Sequence, residues 1–134
     1  MQVTGLDGKE YRWRPELCLK KRENASNLHV QARELLHSLF PFYTISEELL
    51  LPGVETRLYL DLYIQQLRLA VEANGSQHYN YNYHFFASAK DFRLAQQRDR
   101  LKREWCELNN IDLVELPYNE SREQWRERIK RRGL

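Results

Sequence analysis

The sequence predicts one mixed α/β domain: a central mixed sheet flanked by helices. Three observations carry this. Two neighbouring segments, Arg57 to Ile64 and Leu67 to Ala73, alternate apolar and polar residues with period two. Segments before and after them repeat apolar residues at helical spacing. The chain has 134 residues and is 42 % hydrophobic, enough for one buried core but not for a second domain.

The elements follow in order. Asp7-Gly8 signals a turn, and Tyr11-Arg12-Trp13 alternates like a short strand. Asn24 to Asn27 offers capping residues, after which Leu28, Ala32, Leu35, Leu36 and Leu39 recur at helical spacing until Pro41. Tyr43 to Leu51 reads as a strand closed by Pro52-Gly53. The two alternating strands come next, with Gln65-Gln66 as their turn and one buried face carrying Leu58, Leu60, Leu62 and Ile64. After Gly75 runs a polar and aromatic loop, His78 to Phe86. A long helix follows from about Ser88 to Asn109, with Leu94, Leu101, Trp105 and Leu108 on one face and Asn109-Asn110 at its end. Ile111 to Leu116 is a strand, and Ser121 to Arg131 a basic helix. The order is α-β-β-β-α-β-α, with an arm over residues 1–25, a core over about 28–119 and a basic C-terminal helix over 121–134.

Charge and composition narrow the function classes. Lys and Arg number 21 against 19 Asp and Glu, a net charge of +2. No apolar run approaches the ~18–20 residues of a membrane helix, and the polar start MQVTGLDGKEYRWR has no signal-peptide stretch. A cytoplasmic, intracellular protein with no membrane partner is expected. Cys18 and Cys106 have no zinc-type spacing and read as packed free thiols. Positive charge is concentrated locally, at Arg93, Arg98, Arg100, Lys102 and Arg103, and again from Arg126 to Arg132. Such runs suit a phosphate backbone, and equally a solvated helix face. Tyr79, Tyr81, Tyr83, Phe85 and Phe86 suit base stacking, or packing over the sheet edge. Trp13, Trp105 and Trp125 read as packing residues; His29 and His37 read as surface or partly buried.

With Gln65-Gln66 as a two-residue turn, Asp61 falls opposite Ala70 and Tyr59 opposite Glu72. Asp61 and Glu72 then share a face as diagonal neighbours about 7–8 Å apart. Two carboxylates at that separation can converge on one hard cation. They are also compatible with two surface acids beside Arg57 and Arg68.

The run Leu60-Asp61-Leu62-Tyr63-Ile64, followed by Leu69-Ala70-Val71-Glu72-Ala73-Asn74-Gly75-Ser76-Gln77-His78, resembles the centre of PD-(D/E)xK nucleases. The resemblance is nearest to the very-short-patch-repair-like branch, with its "DFY…L.IEVDG.QH" pattern. Downstream, Arg98-Asp99 through Lys102 to Asn110, then Leu113 to Leu116 and Asn119, are similar to that branch's helix, strand and loop. The likeness spans roughly Glu34 to Asn119.

It implies a restriction-endonuclease-like αβββαβ core and a Mg²⁺- or Mn²⁺-dependent endonuclease hydrolysing DNA, duplex or branched, as a nicking enzyme or a homodimeric cutter. Asp61, Glu72 and the Ala73 carbonyl would hold the ion. Gln77 and His78 match the branch's "QH" and would orient water. Glu34 is a candidate for the family's helix acid, with Gln31 near the same position. The family's usual lysine is Asn74 here, which cannot carry positive charge. Lys90 or Lys102 would supply that charge, and Asn74, Lys90, Arg98, Lys102 and Arg103 would contact nucleic acid. The alternatives are a catalytically inactive DNA-binding module or subunit on the same fold, and an interaction protein whose basic faces bind an acidic partner.

Overall fold

The structure is a computed structural model that describes residues 1–17, 21, 23, 25–74 and 89–132. Cys18, Gln77, His78 and the aromatic loop Tyr79 to Phe86 lie outside the described residues.

The first strands form a hairpin: β1 (Gln2–Thr4) pairs antiparallel with β2 (Glu10–Arg12) around the Asp7-Gly8 turn. Helix α1 (Asn27–Leu39) starts at Ser26, whose hydroxyl accepts the His29 N–H at 3.2 Å. It buries His29, Ala32, Leu35 and Leu36, one helical stripe, and stops before Pro41. Strand β3 (Ser46–Leu50) is shorter than the expected Tyr43 to Leu51. Strands β4 (Tyr59–Ile64) and β5 (Leu69–Asn74) follow, then helix α2 (Ala89–Leu108), strand β6 (Asp112–Pro117) and helix α3 (Arg122–Lys130). The main sheet has the order β3-β4-β5-β6; β4 is antiparallel to both of its neighbours, β3 and β5, and β6 runs parallel to β5. A parallel partner needs a long crossover, and α2 with the chain before it supplies one.

Both faces of the sheet are covered. On one, α1 and α3 pack on Leu62, Ile64, Leu69, Val71, Val114 and Leu116, sealed by Trp125 and Ile129. On the other, Trp105 and Cys106 of α2 pack with Val3 and Trp13 of the N-terminal segment against Leu49, Leu58, Leu60, Tyr63 and Ala70. The expectation of a single buried face is therefore corrected. Parallel pairing requires cover on both sides, and that cover reaches Tyr63 and Ala70 as well as the leucines.

The strict alternation in β4 also breaks. Leu58 and Leu60 belong to the α2 side, whereas Leu62 and Ile64 belong to the α1–α3 side. The change of face falls at Asp61. On β3 the same crossing falls at Glu48, whose φ of 50° is left-handed. Glu47, before it, meets α1, and Leu49, after it, meets the α2-side core. Period two assumes an unbroken pleat, and this pair of strands does not keep one.

The predicted apolar face of α2 holds only at its C-terminal end. Trp105 and Cys106 are buried and Leu101 packs partly, but Leu94 and Leu108 are exposed. Trp105 is fixed further by its indole N–H, which donates to the Pro52 carbonyl at 3.0 Å, and by an edge-on contact with Trp13. Beyond α2, Asn110 takes a left-handed φ of 55°, as a helix-terminating asparagine can. Asn109 is buried and clamps the N-terminal hairpin: its Oδ1 accepts the Thr4 N–H at 2.7 Å, and its Nδ2 donates to the Thr4 carbonyl at 3.0 Å. His29, read as a surface or partly buried residue, is fully buried, with Nε2 2.7 Å from Glu47 Oε1. Arg33 grips the same carboxylate through two nitrogens, each at 2.8 Å. Among the described residues, no helix is long and apolar enough to cross a membrane.

Candidate active site

The two acids singled out in the sequence meet more closely than expected. The β4–β5 connection is not a two-residue turn. Gln65–Leu67 form a 3₁₀ turn, and Arg68 closes it with a left-handed φ of 50°. Ile64 therefore pairs with Leu69, Tyr63 with Ala70 and Leu62 with Val71. The register differs from the expected one by two residues. One further step of this register sets Asp61 directly opposite Glu72 rather than diagonally from it.

At that step the side chains take over the pairing. The Asp61 N–H donates to Glu72 Oε2 at 3.2 Å, and the Ala73 N–H donates to Asp61 Oδ2 at 3.2 Å. Each carboxylate is thus tied to the backbone beside the other, which fixes both without a flexible arm. Glu72 is 5 % exposed. Its other oxygen, Oε1, lies 3.0 Å from the Lys102 ammonium but receives no well-aligned hydrogen bond. Burial and the neighbouring Asp61 charge push the Glu72 carboxyl well above its ordinary range, against the pull of Lys102. Burial disfavours the Lys102 ammonium, but Glu72 and Asp61 outweigh it, and the net shift is upward.

Four acids run across the sheet in a row. The β3–β4 register sets Glu48 level with Asp61, Glu72 follows on β5, and Glu115 on β6 pairs with Glu72. Helix α2 lays cations over the row: Lys102 on Glu72, and Arg103 on Glu115, which it grips through Nε and Nη2. A cleft of about 250 Å³ opens beside Asp61, lined by Glu48, Arg57, Arg98, Asp99 and Lys102 among others.

The remaining predicted residues divide. Arg98 and Lys102 reach the cleft. Lys90 is exposed at the start of α2. Asn74 is buried, and its amide donates to Glu115 Oε2 at 3.3 Å, so it serves the β5–β6 contact rather than an open surface. Glu34 is not brought to Asp61. It is exposed on α1 and pairs with Arg122 of α3 at 3.0 Å, on the opposite side of the sheet from α2. Sequence reasoning passed over Glu48. Finding it requires the β3–β4 register, and the Pro52-Gly53 turn signal, followed by four more residues before Leu58, does not fix one.

Were an ion held here, the Asp61 and Glu72 carboxylates and the Ala73 carbonyl would offer it hard oxygens, which suit Mg²⁺ or Mn²⁺ better than zinc. The cation that faces the buried Glu72 Oε1 in the structure is the Lys102 ammonium. Among the described residues, no group of three or more His, Cys, Asp and Glu side chains is gathered to hold a metal ion.

Comparison with known proteins finds relatives in viruses. The chain is 48 % identical over 61 residues to the uncharacterized protein 307L of Invertebrate iridescent virus 6, covering 46 % of this chain and 31 % of that protein. It is 41 % identical over 68 residues to the uncharacterized protein 033L of Invertebrate iridescent virus 3, covering 50 % of this chain and 34 % of that one. It is 38 % identical over 68 residues to the uncharacterized protein 094L of Frog virus 3, covering 50 % and 44 %. In each case the chain spans less than half the length of its relative. No family model matches the chain, and no solved structure matches it.

Proposed function

We propose that this chain is a metal-dependent nuclease domain that hydrolyses DNA phosphodiester bonds. The observation that carries the reading is the Asp61–Glu72 pair, directly opposed on adjacent strands, tied to each other's backbone and faced by Lys102. The αβββαβ order, with the last strand parallel to the third strand of the sheet, supports a restriction-endonuclease-like core.

In this reading Asp61, Glu72 and the Ala73 carbonyl hold Mg²⁺ or Mn²⁺. Such an ion polarises a phosphodiester and makes water a better nucleophile. Arg98 and Lys102 line the cleft and offset the charge that develops on the phosphate. The exposed Lys90 and Arg103 extend the positive surface along α2 and position the backbone without reading sequence. Gln77 and His78 are the candidates to orient water.

Incubation with supercoiled plasmid and Mg²⁺ or Mn²⁺ tests this. Wild type should nick. Asp61→Asn and Glu72→Gln should each lose at least about a hundredfold, since changes one shell further out already cost about 10–100-fold in metal affinity or activity. Cleavage that survives both substitutions would remove the pair from the chemistry. Salt-sensitive DNA binding without cleavage, unchanged in Asp61→Asn, would favour a binding module instead.

A further inference from the structure

A lysine on a surface helix normally extends its ammonium into water. Lys102 does the reverse. Its side chain is 19 % exposed and turns from α2 toward the sheet, where Nζ lies 3.0 Å from Glu72 Oε1. Glu72 is itself buried, and its second oxygen is already occupied by the Asp61 N–H. Oε1 is therefore the oxygen left to meet an incoming ion, and Lys102 sits against it. A divalent ion on a carboxylate oxygen lies about 2.0–2.6 Å away. With the ammonium 3.0 Å from the same oxygen, the two cations would be near neighbours in a poorly solvated site, where like charges repel by several times more than in water.

We propose that Lys102 is a resident cation of this site and that it competes with a divalent ion for Glu72. The inference rests on the nuclease reading for the ion's identity, and on the Lys102–Glu72 contact for the competition. Lys102 acts through Glu72 and is a positioning residue. It holds the carboxylate in place when no metal is bound, and would have to give way toward the cleft that it also lines for an ion to reach Oε1.

Mn²⁺ titration of the full chain by calorimetry tests the competition. Lys102→Met keeps the length and apolar stem of the side chain and should bind Mn²⁺ about tenfold tighter than wild type, the scale of one removed charge contact. Lys102→Arg keeps the charge and should bind much as wild type does. Unchanged or weaker binding by Lys102→Met would overturn the proposal.

Melting in EDTA gives a second readout that needs no metal. Lys102→Met should lower the melting temperature of wild type but change a Glu72→Gln background much less. Equal losses in both backgrounds would show that the pair is not coupled, and would also overturn it. If Lys102→Met does not fold, Lys102→Gln serves in both arms. Wild type that binds Mn²⁺ in competition with Lys102 but never nicks DNA would sink the nuclease reading alone. Absence of Mn²⁺ binding in every variant would sink both.

Discussion

At the scale of single residues, Glu72 is held where an ordinary glutamate is unstable as an anion. Burial and the Asp61 charge both favour its protonated form. A folded-state pKa above the unfolded one gives stability that is fully present below the unfolded value and is lost as pH rises through the folded value. In EDTA, the melting temperature of wild type relative to Glu72→Gln should therefore be highest in acid and fall as pH rises above the normal carboxylate range. A difference independent of pH would show that Lys102 compensates Glu72 in full. That Asp61 and Glu72 come together was legible in the sequence, because both are acids inside neighbouring apolar strands. The inward turn of Lys102 was not, because a lysine in a basic run reads equally well as solvated. Cys106 behaves as its sequence context suggested: it is buried, and burial pushes its thiol up to about 12, so it stays protonated and inert.

At the scale of elements, the order of helices and strands was readable from periodicity and caps. Ser26 starts its helix where capping residues were expected, and Ser121 caps the last helix. Ser121 does so with a reciprocal capping box: its hydroxyl accepts the Gln124 N–H, and the Gln124 side chain accepts the Ser121 N–H. Ser121→Ala should cost about 1 kcal/mol, read as a lower denaturation midpoint with unchanged slope. Register was not readable. Leu67 continues the alternation of its strand on paper, yet it belongs to the 3₁₀ turn, and a left-handed Arg68 is needed to close it. Nothing in a Gln-Gln-Leu-Arg string announces that backbone. The acids still meet, directly opposed instead of diagonal, because the register is displaced by two residues. Glu48 was missed because its position depends on a register that sequence does not fix, and because its left-handed backbone breaks the pleat.

At the scale of the whole molecule, the α2 side of the sheet is assembled from distant parts of the chain. Val3 and Trp13 share that core with Trp105 and Cys106, and Asn109 bonds both backbone groups of Thr4. The sequence suggested a strand near Tyr11 but not its partner β1, nor what holds the hairpin down, because a side-chain amide reaching another element's backbone leaves no periodic trace. Asn109→Ala would orphan the Thr4 N–H and carbonyl together. It should cost about 1–3 kcal/mol, with the hairpin amides losing hydrogen-exchange protection before the central strands do. Protection that stays uniform would mean that hairpin and sheet open as one unit.

The same clamp sets an order of events during synthesis. Thr4 and Asn109 are 105 positions apart, so the hairpin leaves the ribosome long before its holding residue exists. At roughly 5–20 residues per second the wait for Asn109 lasts about 5–20 seconds. The hairpin is thus made well before the residue that clamps it, and the clamp closes only once Asn109 has been added.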